Sequence, residues 1–482
     1  MTRRDSLPRN TPESQGVSSL AILDFVTAAE QQLDSLHSFM VLRHGTVIAE
    51  GWWNPFTPEL PHTMFSLSKS FTSTAIGLAV SERLLTVDDR IVDLFPDDLP
   101  DQISDRLRKL TVRHLLTMST GHAVESMDLL ERDPTQNWVR HILGLPLEYD
   151  PGTHFVYNSG ATYLLSAIVQ KLTGQRVLDY LTPRLFVPLE IEGATWEQSP
   201  QGIDTGGWGL ALRTEDVANF GQLYLQRGRW NGQQIVPEAW VDEATAWHIA
   251  NNVSQTNPDW IQGYGYQFWR ARHGAYRGDG AFGQFCIVMP DRDAVVVMTA
   301  GLTDMQAQID LVWDHLLPAM TIDTEAMTAD APHTAAATAL DYRVANLAIT
   351  PQSGSATSAR ATRVSGVPYD FDGGARVTLT FGTDSTSLDL QSPDLCGRFE
   401  LGHGEWRREE APADDGSTLA VAASGGWTDA STYVARLCFC ETPFTSVVTI
   451  AFAGSRATID IEQNVSFGAT RQLHAVGNRR AE

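Results

Sequence analysis

Ser66-Leu-Ser-Lys-Ser-Phe-Thr-Ser-Thr-Ala-Ile-Gly-Leu-Ala-Val80 is the stretch on which the fold turns. Ala75 to Val80 is small, apolar and uncharged, and no charge follows Lys69 until Glu82. Ser66–Leu85 therefore reads as a helix buried on most sides. The head of that helix is an S-x-x-K tetrad. Residues i and i+3 share a helix face, so Ser66 Oγ and Lys69 Nζ can meet. A helix start also offers free N–H groups. A serine hydroxyl is a weak nucleophile that needs a neighbouring base. A lysine in a dry pocket can lose its proton near neutral pH and act as that base. Only three of the 35 Lys and Arg residues are lysine: Lys69, Lys109 and Lys171. A lysine at such a position invites a reason specific to lysine, because arginine cannot give up its proton.

Working outward, residues 20–34 read as an amphipathic helix. Phe39–Leu42, His44-Gly45 and Thr46–Ala49 read as a β-hairpin. Val112–Met118, Ala161–Leu172 ending at Gly174, Thr214–Gly228 with Thr214 as N-cap, and Ile309–Leu317 read as helices. Residues 122–150 read as a loop with short helices. Tyr264–Ala271, Gly274–Gly280, Phe282–Met289 and Ala294–Ala300 read as strands. A helix-and-hairpin start, a helical middle and an antiparallel end suit an α+β domain with a helical insertion over residues 1–323. Residues 324–366, rich in Ala, Thr, Ser and Pro, read as a linker with one anchored stretch. Residues 367–482 read as a separate β-barrel or β-sandwich, with strands at Val377–Phe381, Ser387–Leu390, Tyr433–Cys440, Val447–Phe452 and Ala457–Ile461. Gly397–Trp406 and Glu441–Phe444 read as structural turns with aromatic packing.

The chain has 482 residues and a formal net charge of -23. That acidity argues against nucleic-acid partners and against an anionic membrane surface. No apolar run approaches the ~18 residues of a membrane helix. Met1–Val17 is polar, with no secretory core, so a cytoplasmic location is expected. Cys286, Cys396, Cys438 and Cys440 are too few for a disulfide scaffold and read as buried reduced thiols. No zinc spacing or phosphate loop is present, so neither metal nor cofactor is expected.

Two further motifs follow in order. Phe155-Val-Tyr157-Asn-Ser159-Gly160 sits between a Pro151-Gly152 turn and a helix, where a tyrosine hydroxyl could relay protons. Arg277-Gly-Asp-Gly280-Ala-Phe-Gly283 is a glycine-rich strand end, open to a substrate backbone and able to offer an N–H to an oxyanion. Read alone, each motif equally describes a core tyrosine or a tight turn. His62 reads as a loop-capping residue, His122 as a candidate for the pocket mouth, and Trp138 and Trp208 as candidate borders of an acyl site.

Together these motifs, with Leu110-Thr-Val-Arg-His-Leu-Leu-Thr-Met-Ser-Thr-Gly-His122 and Gly206-Gly-Trp-Gly-Leu210, resemble the serine hydrolases related to class C β-lactamases and penicillin-binding enzymes. That group includes esterases, D-aminopeptidases and 6-aminohexanoate-dimer hydrolases, and the resemblance covers residues ~10–320. It implies a β-lactamase/transpeptidase-like domain, an antiparallel sheet plus a helical subdomain. It implies Ser66 as the acylated nucleophile, Lys69 as its base and Tyr157 as a second proton shuttle. It implies the N–H groups of Ser66 and Ala281 as the oxyanion hole, with Ser159, Gly278, Asp279 and Gly280 lining the substrate site. Two departures stand out. Tyr-x-Asn reads here as Tyr157-Asn158-Ser159, and the Lys-Thr-Gly strand as Gly278-Asp279-Gly280. The lost cation and the acidic Asp279 argue against anionic β-lactam or peptide carboxylates. The expectation is a small neutral or cationic ester or amide cleaved without a cofactor. The rivals are a peptidase for D-amino-acid or cell-wall peptides and a catalytically silent binding module. A homo-oligomer is left open.

Overall fold

The computed structural model describes residues 7–126, 136–251, 256–320, 335–393, 395–412 and 418–480. An antiparallel sheet of six strands forms the centre of the first half, in the order Thr46–Trp52, Leu36–Arg43, Ala294–Ala300, Gln284–Met289, Tyr276–Gly280 and Trp269–Arg270. Helices Ser19–Gln32 and Met305–Leu311 cover one face, and Phe25 meets Phe39 edge-on at 5.6 Å. Helix Thr214–Leu225 covers the other face. With both faces covered, the middle strands are buried at every position, Leu36–Arg43 and Ala294–Ala300 among them. This explains why Phe39-Met-Val-Leu and Ala294-Val-Val-Val-Met are continuous apolar runs and not alternating ones. The fold is thus a β-lactamase/transpeptidase-like α+β domain, followed by a separate all-β domain.

The helical subdomain brings helix Ser68–Ser81 against helix Ser159–Thr173. Every residue from Ser68 to Ala79 is buried, as the uncharged run requires. The expected strand over Tyr264–Ala271 is mostly loop, with Trp269–Arg270 as its strand and Tyr264 in isolated bridges to Ile249 and Trp269. Gln267 has φ +64° there, and its side chain donates to Leu115 O at 3.1 Å and Leu116 O at 2.9 Å. Helix carbonyls thereby take the place of ladder partners. Thr214 is the first helical residue and not the cap, with its hydroxyl 2.8 Å from that of Ser38.

The expected linker of 324–366 lies partly outside the described residues. Its described part carries helix Ala335–Val344, joined to the first helix by an Arg343–Glu30 ion pair. Asn54 and Leu347–Ile349 then exchange backbone bonds of 2.9 and 2.8 Å. In the C-terminal domain, ten strands from Val367–Phe371 to Arg471–Arg479 form one antiparallel sheet. Gly402 N donates to Ala423 O and Gly425 N to Gly402 O, so the sheet rolls until its ends meet. Leu379, Leu388, Phe399, Leu437, Ile450 and Ile459 fill its interior. Strand Cys396–Leu401 overturns part of the expected turn Gly397–Trp406, with Phe399 and Leu401 buried in the interior. Strand Thr418–Trp427 escapes the sequence reading because its residues are mostly small and neighbouring ladders decide its conformation. Cys286, Cys438 and Cys440 are buried free thiols, whereas Cys396, expected to be buried, is exposed at its strand end.

Beneath the nucleophile lies a buried imidazole chain. Ser35 Oγ is 2.8 Å from His37 Nε2, His37 Nδ1 is 3.1 Å from His62 Nε2, and His62 Nδ1 is 3.1 Å from Thr63 O. The carbonyl can only accept, so His62 carries its proton on Nδ1, and His37 donates to its Nε2. His37 Nε2 then accepts from the Ser35 hydroxyl. Every position is filled with both rings neutral, and protonating His62 sets a new Nε2–H against the Nδ1–H of His37. Burial pushes His62 down to about 4 and His37 well below its usual value. Both imidazoles gain protons more readily when unfolded, so stability falls as pH drops below the unfolded value of about 6.5. For His62 the loss grows down to about pH 4 and reaches about 3 kcal/mol. The thermal midpoint should therefore be lower at pH 5 than at pH 7, with a smaller drop in His62→Asn, as read by scanning calorimetry.

Candidate active site

Ser66 lies in a 3₁₀ turn, Phe65–Leu67, that runs directly into helix Ser68–Ser81. Ser68 fastens this turn, its hydroxyl donating to Phe65 O at 2.6 Å and accepting from Leu210 N at 3.2 Å. One turn on, Lys69 Nζ donates to Ser66 Oγ at 2.9 Å, Ser159 Oγ at 3.0 Å and Gly207 O at 2.7 Å. Lys69 is 1% exposed. Burial lowers its pKa to about 8, against the opposing pull of Glu125 and Asp279. Neutral lysine keeps two N–H groups, enough for Ser159 Oγ and Gly207 O, and its lone pair then faces the Ser66 hydroxyl. A Cβ at Gly207 would be tight, 3.2 Å from Ser159 O and 3.4 Å from the amine itself.

The segment Tyr157–Ser159 divides three tasks. Tyr157 lines the same cavity as Ser66, its ring 4.8 Å from Lys69 Nζ and stacked on Trp269 at 5.4 Å. Burial first, and then Asp279, push its pKa well above the usual value, so the phenol stays protonated. Asn158 caps helix Ser159–Thr173, its Oδ1 accepting from Gly160 N at 3.0 Å and from Ser126 Oγ at 2.7 Å. Ser159 offers the oxygen that holds Lys69. Its backbone N–H donates to both oxygens of Glu125 at 2.9 Å. Glu125, which sequence reasoning missed, is thereby fixed at the helix N-terminus, a favourable place for an anion. No periodicity or motif marks it.

Strand Tyr276–Gly280 forms the opposite wall. Gly278 and Gly280 face the nucleophile helix, where a Cβ would stand 2.8 Å from Ser70 Oγ and 2.0 Å from Met64 O respectively. Arg277 and Asp279 share the other face, with Arg277 Nη2 3.5 Å from Asp279 Oδ2. The guanidinium is fully buried, 4.4 Å from the Trp260 ring centroid, and does not reach the cavity. Asp279 is thus half of an ion pair and not the lone charge its sequence position suggests. Burial raises its pKa, and Arg277 opposes that rise. Past the strand, Gln284 Nε2 donates to Ala281 O at 3.0 Å and Ala300 O at 2.8 Å, which fastens the turn.

These groups line a cavity of about 690 Å³. Ser66, Tyr157, Ser159, Asp279, Gly280 and Ala281 all face it. Trp208 lines it as expected, while Trp138 stacks behind Trp208 at 6.2 Å. Trp260, Trp269, Met305, Glu125 and Phe467 complete the wall, with no basic lining residue among those described. His62 belongs to the imidazole chain below. His122 is buried against Thr120 Oγ1 at 2.8 Å and takes no part in the lining. Phe467 comes from the C-terminal domain, and its place here follows from no local sequence signal.

The β-lactamase family model matches residues 27–315. The chain is 25% identical over 327 residues to 6-aminohexanoate-dimer hydrolase of Paenarthrobacter ureafaciens, covering 63% of this chain and 82% of that one. It is 26% identical over 166 residues to D-aminopeptidase of Brucella canis, covering 32% and 31%. In three dimensions it resembles the octameric penicillin-binding protein homologue from Pyrococcus abyssi, with TM-score 0.51 and 16% identity over 95% of this chain and 99% of that one. More than half of the chain matches that family model, so the chain belongs to the β-lactamase family, whose hydrolase members it resembles in sequence.

Proposed function

We propose that this protein is a serine hydrolase that cleaves a small ester or amide through an acyl-enzyme on Ser66. The observation that carries this reading is the 2.9 Å contact between Lys69 Nζ and Ser66 Oγ beside a cavity that Ser66 and Tyr157 both line, with the Tyr157 ring 4.8 Å from the same amine. Neutral Lys69 takes the Ser66 proton as Oγ attacks the carbonyl carbon. The N–H groups of Ser66 and Ala281 receive the developing oxyanion. Tyr157, held protonated, gives its proton to the leaving group and is reprotonated from Lys69. Water then attacks the acyl carbon, its proton passing through the same pair to Ser66 Oγ as the Oγ–acyl bond breaks and the acid leaves. Ser159 orients Lys69, while Asp279 and Gly280 flank the substrate; Gly278, expected to line the site, packs against Ser70 of the nucleophile helix.

Glu125 and the Arg277–Asp279 pair leave the described walls with carboxylates and no exposed cation, which favours neutral or cationic substrates. Relatives named for a 6-aminohexanoate dimer and for D-aminopeptidase activity support an amine-bearing amide within that class.

Wild type exposed to a fluorophosphonate should gain one phosphonyl mass, and Ser66→Ala none. Turnover of p-nitrophenyl butyrate should fall by about 10³-fold or more in that variant. An unlabelled, inactive wild type would favour a silent binding module. Tyr157→Phe should cost about 10²-fold or more on an anilide, whose leaving group needs a proton, and far less on a p-nitrophenyl ester. Because Lys69 works as the free amine, kcat/KM should rise with pH to a plateau above about 8. Glu125 holds that value up, so Glu125→Gln should move the midpoint to lower pH.

A further inference from the structure

Two of the phenylalanines around the cavity stand in backbone conformations that L-residues avoid. Phe65 has φ +45° and Phe282 has φ +67°. Phe65 immediately precedes Ser66, and Phe282 immediately follows Ala281. Phe65 therefore flanks the peptide unit that carries the Ser66 N–H, and Phe282 stands one residue past the Gly280–Ala281 unit that carries the other N–H facing the developing oxyanion in the proposed reaction. A left-handed aromatic residue persists only where its surroundings over-determine it.

The surroundings come from the other domain. Phe444 lies in the turn between strands Thr432–Phe439 and Thr445–Ala453, and Phe467 in the loop between Arg456–Gln463 and Arg471–Arg479. Phe444 meets Phe65 at 6.2 Å and Phe282 at 5.7 Å. Phe467 meets them at 5.7 and 4.7 Å. Phe65 and Phe282 meet each other edge-on at 5.6 Å. Backbone contacts fasten the same two loops to the first domain. Thr63 N and Oγ1 both donate to Glu441 O, at 2.8 and 3.2 Å. Asn464 Nδ2 donates to Gly301 O at 3.0 Å and to Pro443 O at 2.9 Å. Leu302 N, next to Gly301, donates to Phe282 O at 3.0 Å.

We infer that the C-terminal domain is a working part of the oxyanion hole: Phe444 and Phe467 hold Phe65 in the left-handed conformation that aims the Ser66 N–H at the substrate oxygen, and hold Phe282 in the one that fixes the turn following Ala281 and its N–H. This rests on the Ser66 hydrolase reading. The two phenylalanines are positioning residues. Phe444 does not line the cavity, so its effect reaches the substrate only through Phe65 and Phe282. Phe467 lines the cavity as well and is 76% exposed, so it adds substrate contact and its removal leaves the fold little affected.

The test uses the full chain with Phe444→Ala, Phe444→Tyr, Phe467→Ala and the alanine pair. Each is read by steady-state hydrolysis of p-nitrophenyl butyrate, by the affinity of a phenylboronic acid whose tetrahedral Ser66 adduct fills the oxyanion site, and by the thermal midpoint. Phe444→Ala should lower kcat about tenfold with KM nearly unchanged, and weaken the boronate by a similar factor. Phe444→Tyr should restore both, and Phe467→Ala should lower kcat and raise KM. If the alanine variants lose thermal stability but keep kcat and boronate affinity, the domain serves only stability and the inference is overturned. Should Phe444→Ala fail to fold, Phe467→Ala decides alone, and an unchanged boronate affinity there overturns it. A wild type inert to both ester and boronate overturns the hydrolase reading itself, a result distinct from active enzyme with indifferent variants.

Discussion

The amine of Lys69 is held at three points, by Ser66 Oγ, Ser159 Oγ and the carbonyl of Gly207, and the rest of the site is arranged around that arrangement. Each partner comes from a different part of the chain: the nucleophile turn, the first turn of helix Ser159–Thr173, and the Gly206–Leu210 loop. The amine is buried, so its charge is costly and its pKa falls. Glu125 and Asp279 limit that fall. A lysine left without those carboxylates would be a weaker base, and one left in water would stay protonated. The balance between burial and nearby negative charge sets the working range of the proposed base.

The same low-dielectric setting explains the paired charges behind the walls. Asp279 is kept beside Arg277, and Arg277 is in turn supported by Asp259 O at 2.8 Å and the Trp260 ring. A buried carboxylate next to a substrate site needs such support to remain ionised. Glu125 draws its support from the start of a helix, through Ser159 N–H. The two carboxylates therefore face one cavity but depend on different devices, an ion pair on one wall and backbone dipoles on the other.

Much of the site was legible in the sequence. The i, i+3 spacing of Ser66 and Lys69 survives although Ser66 sits in a 3₁₀ turn and not in the helix proper, because the two residues still share a face. The glycines of Gly278-Asp279-Gly280 stand where the nucleophile helix presses on the strand. The departure at Tyr157-Asn158-Ser159 was visible as letters, but its meaning was not. Only the packed helix shows that Asn158 turns to cap the backbone while Ser159 reaches Lys69. Strand limits in the C-terminal domain were harder, since Thr418–Trp427 is small and glycine-rich and has little preference of its own.

What the sequence by itself determined was local: which residues bear reactive groups, which helix is buried, and where periodicity changes from 3.6 to 2. These follow from spacing along the backbone. Tertiary structure alone decided that Glu125 lines the cavity and that Phe444 and Phe467 lie against Phe65 and Phe282. Those contacts join residues that can be hundreds of positions apart. They depend on how a rolled sheet docks on an α+β domain, and no local spacing encodes that approach.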